Sequence, residues 1–342
     1  MSPRGASSAP LRLAPADGKR TWQRLWRESI TDPRQLLAIL GLDEHAQDLL
    51  ATRDTGFSVR VPRGFVARMR HGDPDDPLLL QVLAQPAELD SVAGFSRDAV
   101  GDLDSQAAPG ILHKYEGRAL LVVSGACAVH CRYCFRRHFP YAQHTASANG
   151  WRDAVAHLCA DTSIEEVILS GGDPFSISTA KLLELGTELR RASHLQRLRV
   201  HTRLPVVLPE RVDSELCAWL GGLPWPVSVV IHANHANEID AGVIAACRRL
   251  RAAGAVLLNQ SVLLRRVNDS VRALADLSRA LFAAGVVPYY LHQLDRVEGT
   301  AHYAIEDARA TALVEQLRAS ISGYLVPRLV REIAGEPGKT PL

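Results

Sequence analysis

The sequence predicts an α/β fold: a parallel sheet curled part-way into a barrel from six strand–helix units, preceded by a mainly helical N-terminal region. Three observations lead there. Apolar strand candidates begin near Ala119, Val167, Leu198, Val227, Val256 and Pro288, and the later ones recur at about thirty residues, the length of one strand–helix repeat. Between them lie segments opening with Asn149, Ser178, Pro209, Glu238 and Ser270. These types suit helix starts, where short polar side chains answer free N–H groups, proline lacks one, and an acid meets the positive end of the dipole. Finally, every distinctive polar motif follows a strand candidate, the place where parallel α/β architectures gather their chemistry.

Taken in order, residues 1–19 are rich in Ser, Pro, Ala and Arg without periodicity and read as a disordered leader. Residues 20–105 form the helical region, with Thr21 as an N-cap, Trp22, Leu25 and Trp26 starting a pattern that runs on through Pro33, and a Pro-punctuated loop from His71 to Gln81. The barrel is expected over 106–322, and a Gly-rich C-terminal segment over 323–342.

The 342 residues are 47% apolar with a net charge of +2, enough for a sizeable core and too balanced for a nucleic-acid footprint. No apolar run approaches the ~20 residues of a membrane span, and no hydrophobic signal segment opens the chain. Cys159, Cys217 and Cys247 sit singly in helical patterns, which argues against a disulfide framework and for a reducing, cytoplasmic setting. Small-molecule substrates are expected, with neither nucleic acid nor membrane as partner.

The remaining cysteines form Cys127-Ala-Val-His-Cys131-Arg-Tyr-Cys134, directly after the first apolar strand. Three thiols in one loop suit a [4Fe-4S] cluster with one iron left open to a small molecule. A structural zinc site with His130 or His138 as fourth ligand is the other reading, although such sites normally pair two two-ligand knuckles. One unit later comes Ile168-Leu-Ser-Gly171-Gly172-Asp173-Pro174, with glycines where backbone must approach a neighbour closely. Further strand ends carry His201-Thr-Arg203, His232-Ala-Asn234-His235 and Asn259-Gln260-Ser261. Polar side chains at successive strand ends need a common partner. Near the C-terminus stands Arg331-Glu332-Ile-Ala-Gly335-Glu-Pro-Gly338-Lys339.

With Phe135-Arg-Arg-His-Phe139 following the cysteines, the chain from about Trp22 onward resembles the lysine 2,3-aminomutases of the radical S-adenosylmethionine (SAM) superfamily. It is most similar to the short bacterial form that supplies (R)-β-lysine for modifying elongation factor P. The resemblance implies a partial radical SAM barrel and three cofactors: a [4Fe-4S] cluster on Cys127, Cys131 and Cys134, SAM, and pyridoxal 5'-phosphate (PLP) on Lys339. It implies SAM contacts from Tyr133, Gly171, Gly172, Asp173, Arg203, His232 and Gln260, and PLP-phosphate contacts from Tyr115 and Arg118. The substrate, L-lysine, would offer its carboxylate to Arg136 and its ε-ammonium to Asp295 and Glu332. The family's consecutive glycines are here Gly-Glu-Pro-Gly, the long forms carry Asp where this chain has Glu332, and their C-terminal assembly extension has no counterpart. Implied partners are an electron donor such as flavodoxin or ferredoxin, and, functionally, elongation factor P and its lysyl ligase. The same chemistry on arginine or glutamate, and a zinc-stabilised binding protein without catalysis, are the other readings; acids at Asp295 and Glu332 argue against glutamate.

Overall fold

The computed structural model describes residues 21–146 and 151–342; the leader expected over 1–19 and the helix start expected at Asn149 lie outside them. The core is one ten-stranded sheet whose strands follow each other in sequence order. They are β1 (Gln106–Ala108), β2 (Ile111–Tyr115), β3 (Arg118–Ser124), β4 (Glu166–Gly171), β5 (Arg197–Thr202), β6 (Val227–Ile231), β7 (Val256–Val262), β8 (Val287–His292), β9 (Arg328–Arg331) and β10 (Thr340–Pro341). Every pairing from β3 to β9 is parallel, and antiparallel pairs flank them at both ends. All six expected strands are present. The sheet is an open, mostly parallel α/β structure, because its edges are β1 and β10 and the two do not pair.

The residues before the sheet fold as short pieces: α1 (Thr21–Arg27), α2 (Pro33–Ile39), α3 (Ala46–Leu49) and α4 (Arg63–Val66), joined by turns and single 3-10 turns. The pattern starting at Trp22 does not continue through Pro33. The chain leaves the helix so that Ile30 can bridge Val61, and a fresh helix starts where the Asp32 carboxylate accepts from the Arg34 N–H at 2.8 Å. Thr21 is itself helical rather than a cap.

The later helices are α5 (Tyr141–His144), α6 (Arg152–Ala160), α7 (Thr179–Leu189), α8 (Leu204–Val207), α9 (Ser214–Gly221), α10 (Ala241–Ala252), α11 (Val271–Ala283) and α12 (Asp307–Ser320). Ser178 and Ser270 cap α7 and α11 as expected. Two starts differ. Pro209 opens only a 3-10 turn, and Asp213 caps the helix that follows. Glu238 lies inside the protein, its carboxylate accepting from the backbone N–H groups of Asn234 (2.7 Å) and His235 (3.0 Å), so the cap falls to Asp240. A buried acid with local donors closes a turn more favourably than it ends an exposed one.

The C-terminal segment is not a loose tail. It contributes β9, a seventh parallel strand, then turns back so that β10 pairs Thr340 with Arg331. That hairpin brings Lys339 beside Glu332.

Candidate active site inside the sheet

A cavity of about 370 Å³ lies within the curve of the sheet and over its C-terminal strand ends, and every candidate site residue lines it. Its two walls are built differently.

One wall carries the cysteine loop. The loop is anchored from behind by Arg132 and Arg137, whose guanidinium groups both donate to Glu88, Arg132 Nε at 2.8 Å and Arg137 Nη2 at 2.8 Å, with all three side chains buried. Buried guanidinium groups need such a partner. The glycine turn after β4 packs directly against this loop. Gly171 sits at φ +122°, and a Cβ there would lie 2.5 Å from the Ser124 carbonyl oxygen, while one at Gly172 would meet that of Ala126 at 2.6 Å. Only glycine fits either position. The Gly172 and Asp173 N–H groups donate to Ser124 and Ala126 at 2.6 and 2.9 Å, tying turn to loop.

Asp173 lines the cavity, but its carboxylate is already engaged. It accepts from Phe175 N (3.0 Å), Thr202 Oγ1 (2.7 Å), Arg203 N (2.7 Å) and Leu204 N (3.1 Å), so it shapes the strand ends and has no oxygen to offer a ligand. Burial still pushes this carboxyl up to about 6, against those four bonds. Arg203 donates to Cys131 Sγ (2.7 Å), Gln81 Oε1 (2.7 Å) and Glu238 Oε2 (2.9 Å), with its guanidinium carbon 5.5 Å from the Tyr133 ring. Gln260 Nε2 and His232 Nε2 lie 3.0 Å apart.

The opposite wall is a row of charges. Lys339 Nζ donates to Glu332 Oε2 at 2.6 Å, and the Tyr115 hydroxyl donates to the other oxygen. Burial would raise Glu332, but the Lys339 ammonium and the bonds from Lys339 and Tyr115 hold it below the ordinary carboxylate range. Arg136 donates from Nε to Asp102 (2.6 Å) and from Nη1 to Ser170 (3.1 Å), and Lys114 Nζ reaches the other Asp102 oxygen at 2.6 Å. Arg118 lies with its guanidinium carbon 4.4 Å over the Tyr115 ring and, among the described residues, has no acid within ion-pair distance. Asp295 is the exception to this pairing: its Oδ1 is buried without a hydrogen-bond partner, and desolvation pushes its carboxyl up to about 7.

The site also holds residues that sequence reasoning passed over. Asp102 and Lys114 come from stretches with no motif, Gln81 from the Pro-punctuated loop, and His292 from the last residue of β8. Nothing in the sequence pointed to Glu88, the buried acid that Arg132 and Arg137 share.

Buried polar atoms facing the cavity without partners are a sign of a missing polar ligand. Asp295 Oδ1, His201 Nε2 and His292 Nε2 are such atoms, and burial holds both imidazoles well below their usual range, hence neutral. The donor set also separates a cluster from zinc. Among the described residues the three sulfurs are not all within 4.8 Å of one another, whereas a single tetrahedral zinc would hold them about 3.8 Å apart. His130 Nδ1 is bonded to the Ser58 carbonyl at 2.9 Å and His138 Nε2 to that of Glu298 at 3.2 Å.

Three thiols from one loop, a glycine turn packed against them and a lysine facing a charge-lined cavity define a barrel enzyme that works with an iron–sulfur cluster and organic cofactors. A family model and the relatives in sequence agree. A family model described as a 4Fe-4S single cluster domain matches residues 115–202. The L-lysine 2,3-aminomutase of Escherichia coli is 47% identical over 95% of this chain and 95% of its own length. That of Haemophilus influenzae is 45% identical over 94% and 95%, and that of Clostridium subterminale 32% identical over 94% and 77%. A radical SAM methyltransferase from Sphaerobacter thermophilus has a TM-score of 0.43 at 20% identity, covering 65% of this chain and 68% of its own. The chain belongs to the L-lysine 2,3-aminomutase family. It is an isomerase, and its cofactors are the [4Fe-4S] cluster, SAM and PLP.

Proposed function

We propose that the enzyme converts L-lysine to (R)-β-lysine by moving the 2-amino group to carbon 3. The observation that carries the choice of substrate is Asp295, a buried acid with an unpartnered oxygen in a wall otherwise balanced by lysine and arginine. A buried carboxylate without a cation is costly, and a substrate ammonium relieves that cost. Glutamate would add a second anion to the same place.

The chemistry supplied by the bound cofactors is hydrogen abstraction by a SAM-derived radical and reversible covalent attachment of the substrate nitrogen to PLP. In this reading Cys127, Cys131 and Cys134 hold the cluster, and Gly171 and Gly172 let the backbone approach SAM. Arg203, Tyr133, His232 and Gln260 line the SAM side. Lys339 holds PLP through its amine, and Arg118 with Tyr115 receives the phosphate, for which an unpaired guanidinium is well suited. Arg136, oriented by Asp102, takes the substrate carboxylate. Glu332, which pairs Lys339 in the free protein, would also offer a carboxylate oxygen to the substrate ammonium. Filled by its ligands, the cavity would keep water from the reacting carbon.

A reduced flavodoxin or ferredoxin is the proposed electron source. The similarity to the short bacterial form supports elongation factor P and its lysyl ligase as the destination of the product, in the cytoplasm. No helix among the described residues is long and apolar enough to cross a membrane. Anaerobic incubation of the reconstituted enzyme with lysine, SAM, PLP and dithionite, followed by chiral analysis, should yield (R)-β-lysine. Turnover of arginine or glutamate in preference to lysine would overturn the assignment.

A further inference from the structure

We propose that His113, His157 and Asp161 form a cation site of the zinc class outside the catalytic cavity, fastening strand β2 to the C-terminal end of helix α6. One ligand atom from each side chain lies within 4.8 Å of the other two, and none of the three lines the active-site cavity. Two imidazoles and a carboxylate are a donor set that late first-row divalent ions favour, zinc foremost, with water completing the coordination.

The geometry around the acid separates a metal site from an ordinary ion pair. Asp161 Oδ1 accepts from the Ser163 hydroxyl at 2.6 Å and the Ser163 N–H at 3.1 Å, which fixes the carboxylate and leaves Oδ2 turned toward the histidines. Those two bonds also hold the carboxyl below its ordinary range, so it is an anion at neutral pH. Oδ2 stands 3.7 Å from His113 Nδ1. That is too long for a hydrogen bond, but close to the ~3.4 Å between two ligands of one tetrahedral zinc at ~2.1 Å. His157 Nε2 is buried and has no hydrogen-bond partner. The two imidazole rings stand nearly edge to face, with centroids 6.4 Å apart, so they are not stacked on one another. The His113 and Asp161 side chains keep 21% and 34% exposure, enough for an ion to enter from solvent.

The placement gives the site a consequence. His113 is followed on β2 by Lys114 and Tyr115, which face the cavity and contact Asp102 and Glu332. α6 begins soon after the cysteine loop, so an ion held between β2 and α6 would stiffen the flank from which both walls of the active site are hung.

The test uses the iron-loaded enzyme under anaerobic conditions, with the cysteines occupied by their cluster, dialysed against buffered Zn²⁺ and analysed for both metals. Wild type should take up one zinc per chain beyond its iron, and its thermal midpoint should rise by a few degrees with zinc. His157→Ala removes a ligand on a part-exposed helix face. Asp161→Asn preserves the shape and the bonds from Ser163 while removing the anionic ligand. Each should weaken zinc binding by more than the ~10- to 100-fold that even an outer-shell partner costs, with iron content unchanged. Absence of extra zinc from wild type, or its retention at full stoichiometry and unchanged affinity in either variant, would overturn the site.

Discussion

The two walls of the cavity both withdraw acids from water and treat them in opposite ways. On the cysteine-loop wall every buried acid is fully used. Glu238 accepts from Gln81, Asn234, His235 and Arg203, and Asp173 from four donors. On the Lys339 wall the acids are counted against cations that have other tasks, and Asp295 is left with a bare oxygen. The first arrangement is finished before a ligand arrives, as suits a site that must hold a cluster and SAM in fixed register. The second is completed only by its ligands. A satisfied polar network rigidifies, while an unsatisfied one stores the binding preference.

The comparison is sharpened most by Lys339→Ala, which should abolish turnover and borohydride-trapped PLP while leaving iron content at the wild-type level. Trapping of the adduct at Lys114 or Lys181 in the wild type would break it. Next, Glu238→Ala should act on the fold, since it strands the buried Arg203 guanidinium; a loss of ~3 to 5 kcal/mol is expected in chemical denaturation. Asp295→Asn should do the reverse, costing at least about a hundredfold in kcat/KM for lysine with iron and PLP contents retained and no loss of stability.

Asp295 also predicts a pH dependence. Its carboxyl is raised by burial to about 7, against ~3.9 in an unfolded chain. The folded state therefore binds the extra proton, and the stability this contributes is present below about pH 4 and lost as the pH rises through about 7. Asp295→Asn should accordingly gain on wild type across that window, by a few kcal/mol at most, in urea midpoints measured without ligands. A constant difference across the window would mean that Asp295 is ionised throughout. The smallest effect is expected far from both walls: Asp75→Asn breaks an exposed pair with Arg266 and should shift stability by less than about 1 kcal/mol.

The strands and the motifs were legible because they depend on local pattern. Val167 to Leu169 and Val229 to Ile231 are short apolar runs of the kind a doubly covered parallel strand uses. Three cysteines within one loop mark a metal site through spacing, and the Gly-Gly turn gains its meaning from following them. Short strands flanked by charge, such as Arg328–Arg331, carry no such pattern, and the seventh parallel strand was missed for that reason. Glu238 reads as a helix start because an acid near an N-terminus is common; only the donors around it turn it inward.

By itself, then, the sequence determined the class of fold and set three cysteines in one loop, matters of residue type at short range, while Lys339 stood out only through the family resemblance. The tertiary structure decided which charges are spoken for. That Asp173 is spent on Thr202 and backbone, that Arg136 leans on Asp102, that Glu332 holds Lys339 and that Asp295 Oδ1 is left bare follow from groups that the turns and strand ends of the fold bring together. Burial is what makes each of those pairings count, because an unpaired charge is cheap in water and costly inside.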